Sequence, residues 1–389
     1  MTDIAPIDVV KIASEMVGTL RARSAEIEEG RRVPRDLSDA LGRTGLYRML
    51  APREVGGLEV RPTAFARALE VLATGDAAAA WTVMTSSSTG MLLAYLAPDV
   101  ARAILDEAPN AALAGVFAPS GRAVPEGGGY RVSGRWQWAS GCENARWRTG
   151  GVIVMDGSAP RAAPGGGPEI RSCLFRADDT RVIDTWRVAG MRGTGSHDLE
   201  VKDAFVRADH TVCVFQDAPR HDGPLFRFPL FGLLATGVSA VGLGIARAAL
   251  DHVIELARTK RSRGGSKSMA ESELVQVRVA SAEAELSAAR AGVHAVLEET
   301  YAHAERGAPL EDLHRARLRM AATFAAQASA RAVDAAYTLA GGAAVWDESP
   351  LQRHLRDVHV MTQHLMVGEP TLKPVGRVLL GLPTDTSQL

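Results

Sequence analysis

Residues 130–147 read YRVSGRWQWASGCENARW. Trp136 and Trp138 stand two apart among β-formers, the spacing at which strand side chains return to one face. The stretch belongs to a series. AALAGVFA (111–118), GGVIVM (150–155), EIRSCLF (169–175), TRVIDTW (180–186) and HDLEVKDAFV (197–206) are all short, β-rich and separated by Gly, Pro and Asp. They predict a β-domain in the middle of the chain. Before it the period is helical: Val9, Ile12, Met16, Val17 and Leu20 recur at three and four, and Leu37, Leu41 and Leu46 follow a helix start at Pro34. The segment from Asp76 to Leu96 is small and apolar throughout, as a buried helix would be. After the β-domain four long helices are expected, at 233–258, 271–306, 310–339 and 350–367, enough for a bundle. The expected architecture is mainly α with a central β-domain: an N-terminal helical domain over 1–108, a β-barrel-like domain over 109–228 and a C-terminal four-helix bundle over 229–389.

Composition narrows the function. Of 389 residues, 46 % are hydrophobic and 23 % charged, with 44 Lys and Arg against 45 Asp and Glu. That balance offers nothing to a polyanion or an anionic membrane, so nucleic acid and membrane are not expected partners. Cys142, Cys173 and Cys213 are isolated and form no CxxC, which points to a reduced cytoplasmic compartment. The N-terminus lacks a basic-then-apolar leader, and no apolar run is expected to reach the twenty or so residues that span a bilayer. His354 and His359 are five apart, on different helix faces, so no metal pair is expected. The small residues Gly237, Ala240, Gly244 and Ala248 allow a helix pair to approach closely, within the chain or across an oligomer interface.

The helix, sheet, bundle order and several motifs resemble the acyl-CoA dehydrogenase superfamily over nearly the whole chain. YRVSGRWQWASGCENARW is similar to the family's flavin-contacting strand, so Trp138 and Ser140 are implied to pack against the isoalloxazine. AGMRGTGSHDLEVKDAFVRADHTV (189–212) resembles the turn and strand that bring Thr194 and Ser196 to flavin or substrate. LAGGAAVWDESPLQRHLRD (339–357) resembles the Gly-Gly turn, here Gly341 and Gly342, that receives the cofactor pyrophosphate from a neighbouring subunit. The residue types suit a flavin on physical grounds too: donors for the ring, an apolar wall, backbone amides and arginine for phosphate. Each also has an ordinary alternative, Trp136 and Trp138 as strand core, Gly193 and Gly195 as a bare turn.

Departures from the family sharpen the expectation. Where dehydrogenases carry a glutamate base, this chain has TQHLM (362–366); Glu369 lies beyond it and precedes Pro370. The arginine motif for the adenine diphosphate is broken, since ARTKRSRGG keeps Arg258 and lacks a Phe, leaving FAD and FMN both open. Arg258 heads a basic run with Lys260, Arg261, Arg263 and Lys267, either a phosphate site or a solvated helix end. Arg-Asp-x-His followed by Thr-x-His resembles the two-component flavin-dependent monooxygenases of the same superfamily. The resemblance implies reduced flavin (FADH2 or FMNH2) from a separate NAD(P)H-dependent reductase, molecular oxygen, a C4a-hydroperoxyflavin, an electron-rich, small-molecule aromatic substrate, and a homotetramer. It makes His364 the residue that holds or protonates the peroxide, which a carboxylate would repel. Asp357 shares a helix face with His364 and could orient it only through an intermediary, roughly 10 Å away. Ser87, with Ser86 and Ser88, takes the place where some relatives carry a second histidine, and is either a donor to the site or bonded back to helix carbonyls. Phe226, Phe228 and Phe231 are an apolar lid or core. Two alternatives stay open: an acyl-CoA dehydrogenase using Glu369, and a non-catalytic member of the family.

Overall fold

The structure, a computed structural model, describes residues 7–261 and 267–389; Arg263 lies outside them. Six helices come first: α1 (Val9–Ala22), α2 (Ser24–Gly30), α3 (Arg35–Arg43), α4 (Pro62–Ala73), α5 (Ala77–Gly90) and α6 (Pro98–Glu107). Eight strands follow: β1 (Ala112–Glu126), β2 (Gly129–Ala139), β3 (Ala145–Asp156), β4 (Ala159–Pro160), β5 (Ile170–Arg176), β6 (Arg181–Ile183), β7 (His197–Arg207) and β8 (Thr211–Val212). A short α7 (Pro224–Arg227) leads into α8 (Leu230–Thr259), α9 (Glu273–Glu305), α10 (Asp312–Ala340), α11 (Pro350–Thr362) and α12 (Leu372–Leu379).

The strands are ordered β6-β7-β2-β1-β3-β5-β8, with β4 on β3; β1 and β3 run parallel and the other pairs antiparallel. Trp136 on β2 reaches Phe175 on β5, beyond the intervening β1 and β3, with ring centroids 5.8 Å apart, so the sheet curls around its own core. Glycines make the seat. A Cβ at Gly121, Gly150 or Gly134 would fall 2.4, 2.5 or 2.7 Å from the Trp136 ring, and the indole N–H donates to the Gly151 carbonyl at 2.7 Å. Trp136 is thus strand core, and Trp138 is something else.

Helices on both sides of the sheet in sequence share one core, in which Phe65, Leu69 and Leu72 of α4 meet Leu233, Val238 and Leu250 of α8 and Leu318, Ala325 and Val333 of α10. α8 corrects an expectation. Its length and its mean hydropathy of 1.7 over the most apolar window would suit a membrane span, but 83 % of that window is buried within the molecule. Small residues explain the burial: a Cβ at Gly237 would sit 3.1 Å from Met84 on α5, and one at Gly244 only 2.3 Å from the Glu70 carbonyl on α4. The apolar surface is needed on all sides because helices surround it.

Candidate active site

Two irregularities lie side by side in the sheet. Between Val116 and Gly121 of β1, and again between Trp136 and Ala139 of β2, the pairing register breaks. Residues 117–120 and 137–138 therefore lack ladder partners across these breaks. Trp138 sits in the second break with φ +65°, a left-handed conformation that costs a non-glycine residue energy, and its side chain is 64 % exposed. Together with Val116, Ala118, Ser120, Arg135 and Gln137 it lines a cavity of about 220 Å³. A larger cavity of about 580 Å³, around Trp147 and His210 between α6 and the sheet, contains none of the site residues predicted above.

Behind Trp138 runs a chain of hydrogen bonds whose direction is forced. Thr194 Oγ1 donates to the Met191 carbonyl at 2.9 Å, which commits its one proton. Ser196 Oγ, 2.6 Å from Thr194 Oγ1, must then donate to it, and Ser140 Oγ, 2.7 Å from Ser196, must donate to Ser196. Trp81 Nε1 on α5 donates to Ser140 Oγ at 3.1 Å. Every proton points the same way, so these three buried hydroxyls offer a ligand only lone pairs. The Gly141 amide donates to the Thr194 carbonyl at 2.8 Å and ties the two segments together.

Asp357 anchors the far end of this chain. Its carboxyl group accepts the Met191 amide at 2.5 Å, and the turn lies so close to α11 that a Cβ at Gly190 would be 2.2 Å from the Arg356 carbonyl. Arg356 adds an ion pair to Glu28 at 2.5 Å and a hydrogen bond to the Ala189 carbonyl at 2.6 Å. Burial pushes the Asp357 carboxyl up to about 7. Its direct hydrogen-bond partner is the turn that carries Thr194, and not His364.

His364 lies outside any helix. α11 ends at Thr362, earlier than the 350–367 helix expected, because Gln363 caps it and the chain turns through 364–368. The imidazole packs edge-on against Trp81, ring centroids 5.4 Å apart, which brings it to the Ser140 chain. Its Nδ1 accepts the Met366 amide at 3.3 Å, so the proton of the neutral ring is on Nε2. Burial, helped by Arg319, lowers its pKa to about 4. At neutral pH His364 is therefore a neutral hydrogen-bond donor through Nε2, which suits holding a peroxide, the first of the two roles expected of it.

The remaining predicted residues fall elsewhere. Ser87 Oγ donates to the Leu46 carbonyl at 2.8 Å, Ser86 to the Tyr47 carbonyl at 3.2 Å and Ser88 to Met84 of its own helix at 2.8 Å. With its single proton engaged on backbone, Ser87 is a packing hydroxyl. Arg258 is exposed and pairs with Glu255 at 3.2 Å. Gly341 (φ +57°) and Gly342 are exposed in the turn after α10, and Lys260 Nζ donating to the Ala340 carbonyl at 2.6 Å holds that turn beside the end of α8. About 30 Å of helix separates Arg258 from Gly237, which packs against Met84 of α5, about one helical turn along from Trp81. Glu369 is exposed at the head of a short 3-10 turn. Trp81 was missed by sequence reasoning; a single indole inside AAAAWTV was the available signal.

The geometry fits a flavin ring: a flat exposed indole, unpaired strand backbone and a polar edge. It fits the reduced form in particular, because N5–H of reduced flavin donates where N5 of oxidised flavin accepts.

Comparison with known proteins agrees. The family described as acyl-CoA dehydrogenase, N-terminal domain, matches residues 9–106, and acyl-CoA dehydrogenase, C-terminal domain, matches 236–369. Indole-3-acetate monooxygenase of Pseudomonas putida is 35 % identical, the match covering 93 % of this chain and 90 % of that protein. The oxygenase component of the FADH2-dependent resorcinol hydroxylase of Rhizobium sp. MTP-10005 is 30 % identical, over 96 % and 95 %. The structure of XiaF from Streptomyces sp., in complex with FADH2 and glycerol, superimposes with a TM-score of 0.87 at 26 % identity, over 96 % and 95 %. The chain belongs to the acyl-CoA dehydrogenase family. Within it, it is a reduced-flavin-dependent monooxygenase, an oxidoreductase of the oxygenase-component type.

Proposed function

We propose that this oxygenase transfers one oxygen atom to an electron-rich aromatic small molecule, with His364 as the group that steadies the reactive oxygen. The observation that carries it is the one-way hydrogen-bond chain from Trp81 to Met191, which gives the flavin-facing hydroxyls only acceptor capacity and sets His364 at its Trp81 end. Bound reduced flavin, with molecular oxygen, supplies the oxygen-transfer reagent. Trp138 would wall one face of the ring, Ser140 and Ser196 would accept hydrogen bonds from it, Thr194 and Asp357 hold those hydroxyls to α11, and His364 would donate from Nε2. A neutral imidazole suits this task, because it binds developing negative charge without leaving a buried cation when the site is empty.

A separate NAD(P)H-dependent reductase delivers the reduced flavin, as the oxygenase-component name of the resorcinol hydroxylase relative supports. Arg258, Gly341 and Gly342 take the flavin phosphates of a neighbouring subunit in a homotetramer. The 30 Å of helix between them and the Trp81 end of their own chain supports two copies sharing one flavin. Three buried, free cysteines suit a reducing cytoplasm. The three-domain division at 108 and 228 is part of the same proposal.

Stopped-flow absorbance after mixing anaerobic protein and reduced flavin with oxygenated buffer tests the role of His364. An intermediate between reduced and oxidised flavin should persist in wild type and decay at least ~10-fold faster in His364→Ala. Reoxidation at the rate of free flavin in both proteins would remove His364 from the mechanism.

A further inference from the structure

Two arginines are buried to similar depth and end differently. Arg148, 7 % exposed, donates from Nε to the Cys142 carbonyl at 2.9 Å and from Nη1 to the Ala177 carbonyl and the Thr180 hydroxyl. Arg319 on α10 is 4 % exposed, and among the described residues its guanidinium has one partner, the Met366 sulfur 2.9 Å from Nη1. Its Nε is fully enclosed with no acceptor. A thioether is a weak acceptor and carries no charge. Buried charges in proteins are otherwise paired, because leaving water without a counter-ion is costly. Burial accordingly lowers the Arg319 pKa to about 10.

The open guanidinium stands next to the reaction centre. Met366, its contact, is also the residue whose amide donates to His364 Nδ1. Arg319 is the charge that, after burial, depresses the basicity of His364. The imidazole also packs edge-on against Trp81, whose indole N–H donates to the Ser140 hydroxyl. An anion that completed Arg319 would therefore belong to whatever occupies the space beside His364.

We propose that Arg319 determines substrate class: its guanidinium receives the carboxylate of an aromatic acid whose ring lies on the His364 side. This rests on the function proposed above. A planar guanidinium and a carboxylate match in a two-pronged hydrogen bond, which here would run through the two Nη groups, since Nε is enclosed and Nη1 has only a thioether beside it. A flavin phosphate is the other anion with this chemistry, and the test separates the two.

Wild type with reduced flavin under anaerobic conditions is titrated by calorimetry with indole-3-acetate, phenylacetate and the corresponding amides, which keep shape and lose charge. The acids should bind at least ~10-fold more tightly than the amides. Arg319→Met should erase the difference and Arg319→Lys should recover part of it. Equal affinity of acid and amide in wild type, no saturable binding of either acid, or a preference that survives in Arg319→Met each overturns the assignment. So does loss, in Arg319→Met, of the wild-type preference for reduced FMN over reduced riboflavin, which would hand the guanidinium to the phosphate. The wild-type comparison decides even where a variant fails to fold. Acid preference is an equilibrium result independent of the oxygen reaction: a long-lived flavin intermediate without acid preference sinks only the Arg319 assignment, and acid preference without the intermediate sinks only the role of His364.

Discussion

Ser86, Ser87 and Ser88 on α5 are as deeply buried as Ser140, Thr194 and Ser196 at the sheet edge, yet each of the first set donates to a backbone carbonyl, whereas Ser140 and Ser196 donate to the next hydroxyl and Thr194, last in line, donates to the Met191 carbonyl. A hydroxyl bonded to a carbonyl has finished its work as a donor and helps only to fasten chain to chain. A hydroxyl bonded to the next hydroxyl passes its polarity along, so the last member presents a defined character to a ligand. Both sets are small, buried hydroxyl side chains. What separates packing from function is where the proton goes.

The largest expected effect probes the anchor of the open chain. Burial holds the Asp357 carboxyl at about 7 against an ordinary 3.8, so the folded chain keeps a proton that the unfolded chain has released. Stability from this source is complete below about pH 4 and is lost as pH rises through 7. Asp357→Asn cannot titrate and its amide oxygen still accepts from Met191, so denaturant unfolding from pH 4 to 8 should show a flatter profile. Between those two pKa values the wild-type slope should be the steeper by on the order of 1 kcal/mol for each pH unit. Asp76, raised by burial to about 6, leaves a residual slope of the same sign. Parallel profiles for the two proteins would mean that Asp357 is not held protonated.

The comparison itself is tested by crossing two alanines. Ser87→Ala strands the Leu46 carbonyl and should lower stability by about 1–3 kcal/mol while leaving reduced-flavin affinity as it was. Ser196→Ala removes the middle of the open chain and should weaken reduced flavin ~10-fold by equilibrium titration. A flavin defect in Ser87→Ala, or none in Ser196→Ala, breaks the distinction. The smallest effect concerns the neighbouring strand. Trp138→Gly relieves a left-handed backbone and should raise stability by about 1 kcal/mol, read from a denaturation midpoint, as flavin affinity falls. Loss of stability would show that the indole packs within the chain.

Much of this was legible in the sequence for identifiable reasons. Period-two and period-3.6 patterns are local, so the helix, sheet, bundle order could be read directly, and the segments around Ser140 and Ser196 carry enough motif to be placed together. Hydrogen-bond destinations are not local. Ser87 and Ser140 sit in similarly ordinary contexts, and only the approach of Leu46 to one and Ser196 to the other tells them apart. The helix expected to carry His364 runs five residues too far because apolar Leu365, Met366 and Val367 keep the helical period past the cap at Gln363. Asp357 found its partner 166 positions away, beyond any spacing argument. Arg319 has no motif at all; its interest comes from a missing counter-charge, which appears only once the chain is folded.

Of the six tryptophans, Trp81, Trp136 and Trp147 are buried, whereas Trp138 and Trp346 stand 64 % and 68 % exposed. The first of these exposed two lies at the end proposed for the flavin ring and the second a few residues past Gly341 and Gly342, at the end proposed for its phosphates. On the proposed arrangement, two wet fluorophores with red-shifted emission, one from each of two copies of the chain, stand at opposite ends of a shared flavin. Single Trp→Phe replacements at either would let iodide quenching report, on an unlabelled protein, whether the ring end and the phosphate end are covered in the same step or in turn.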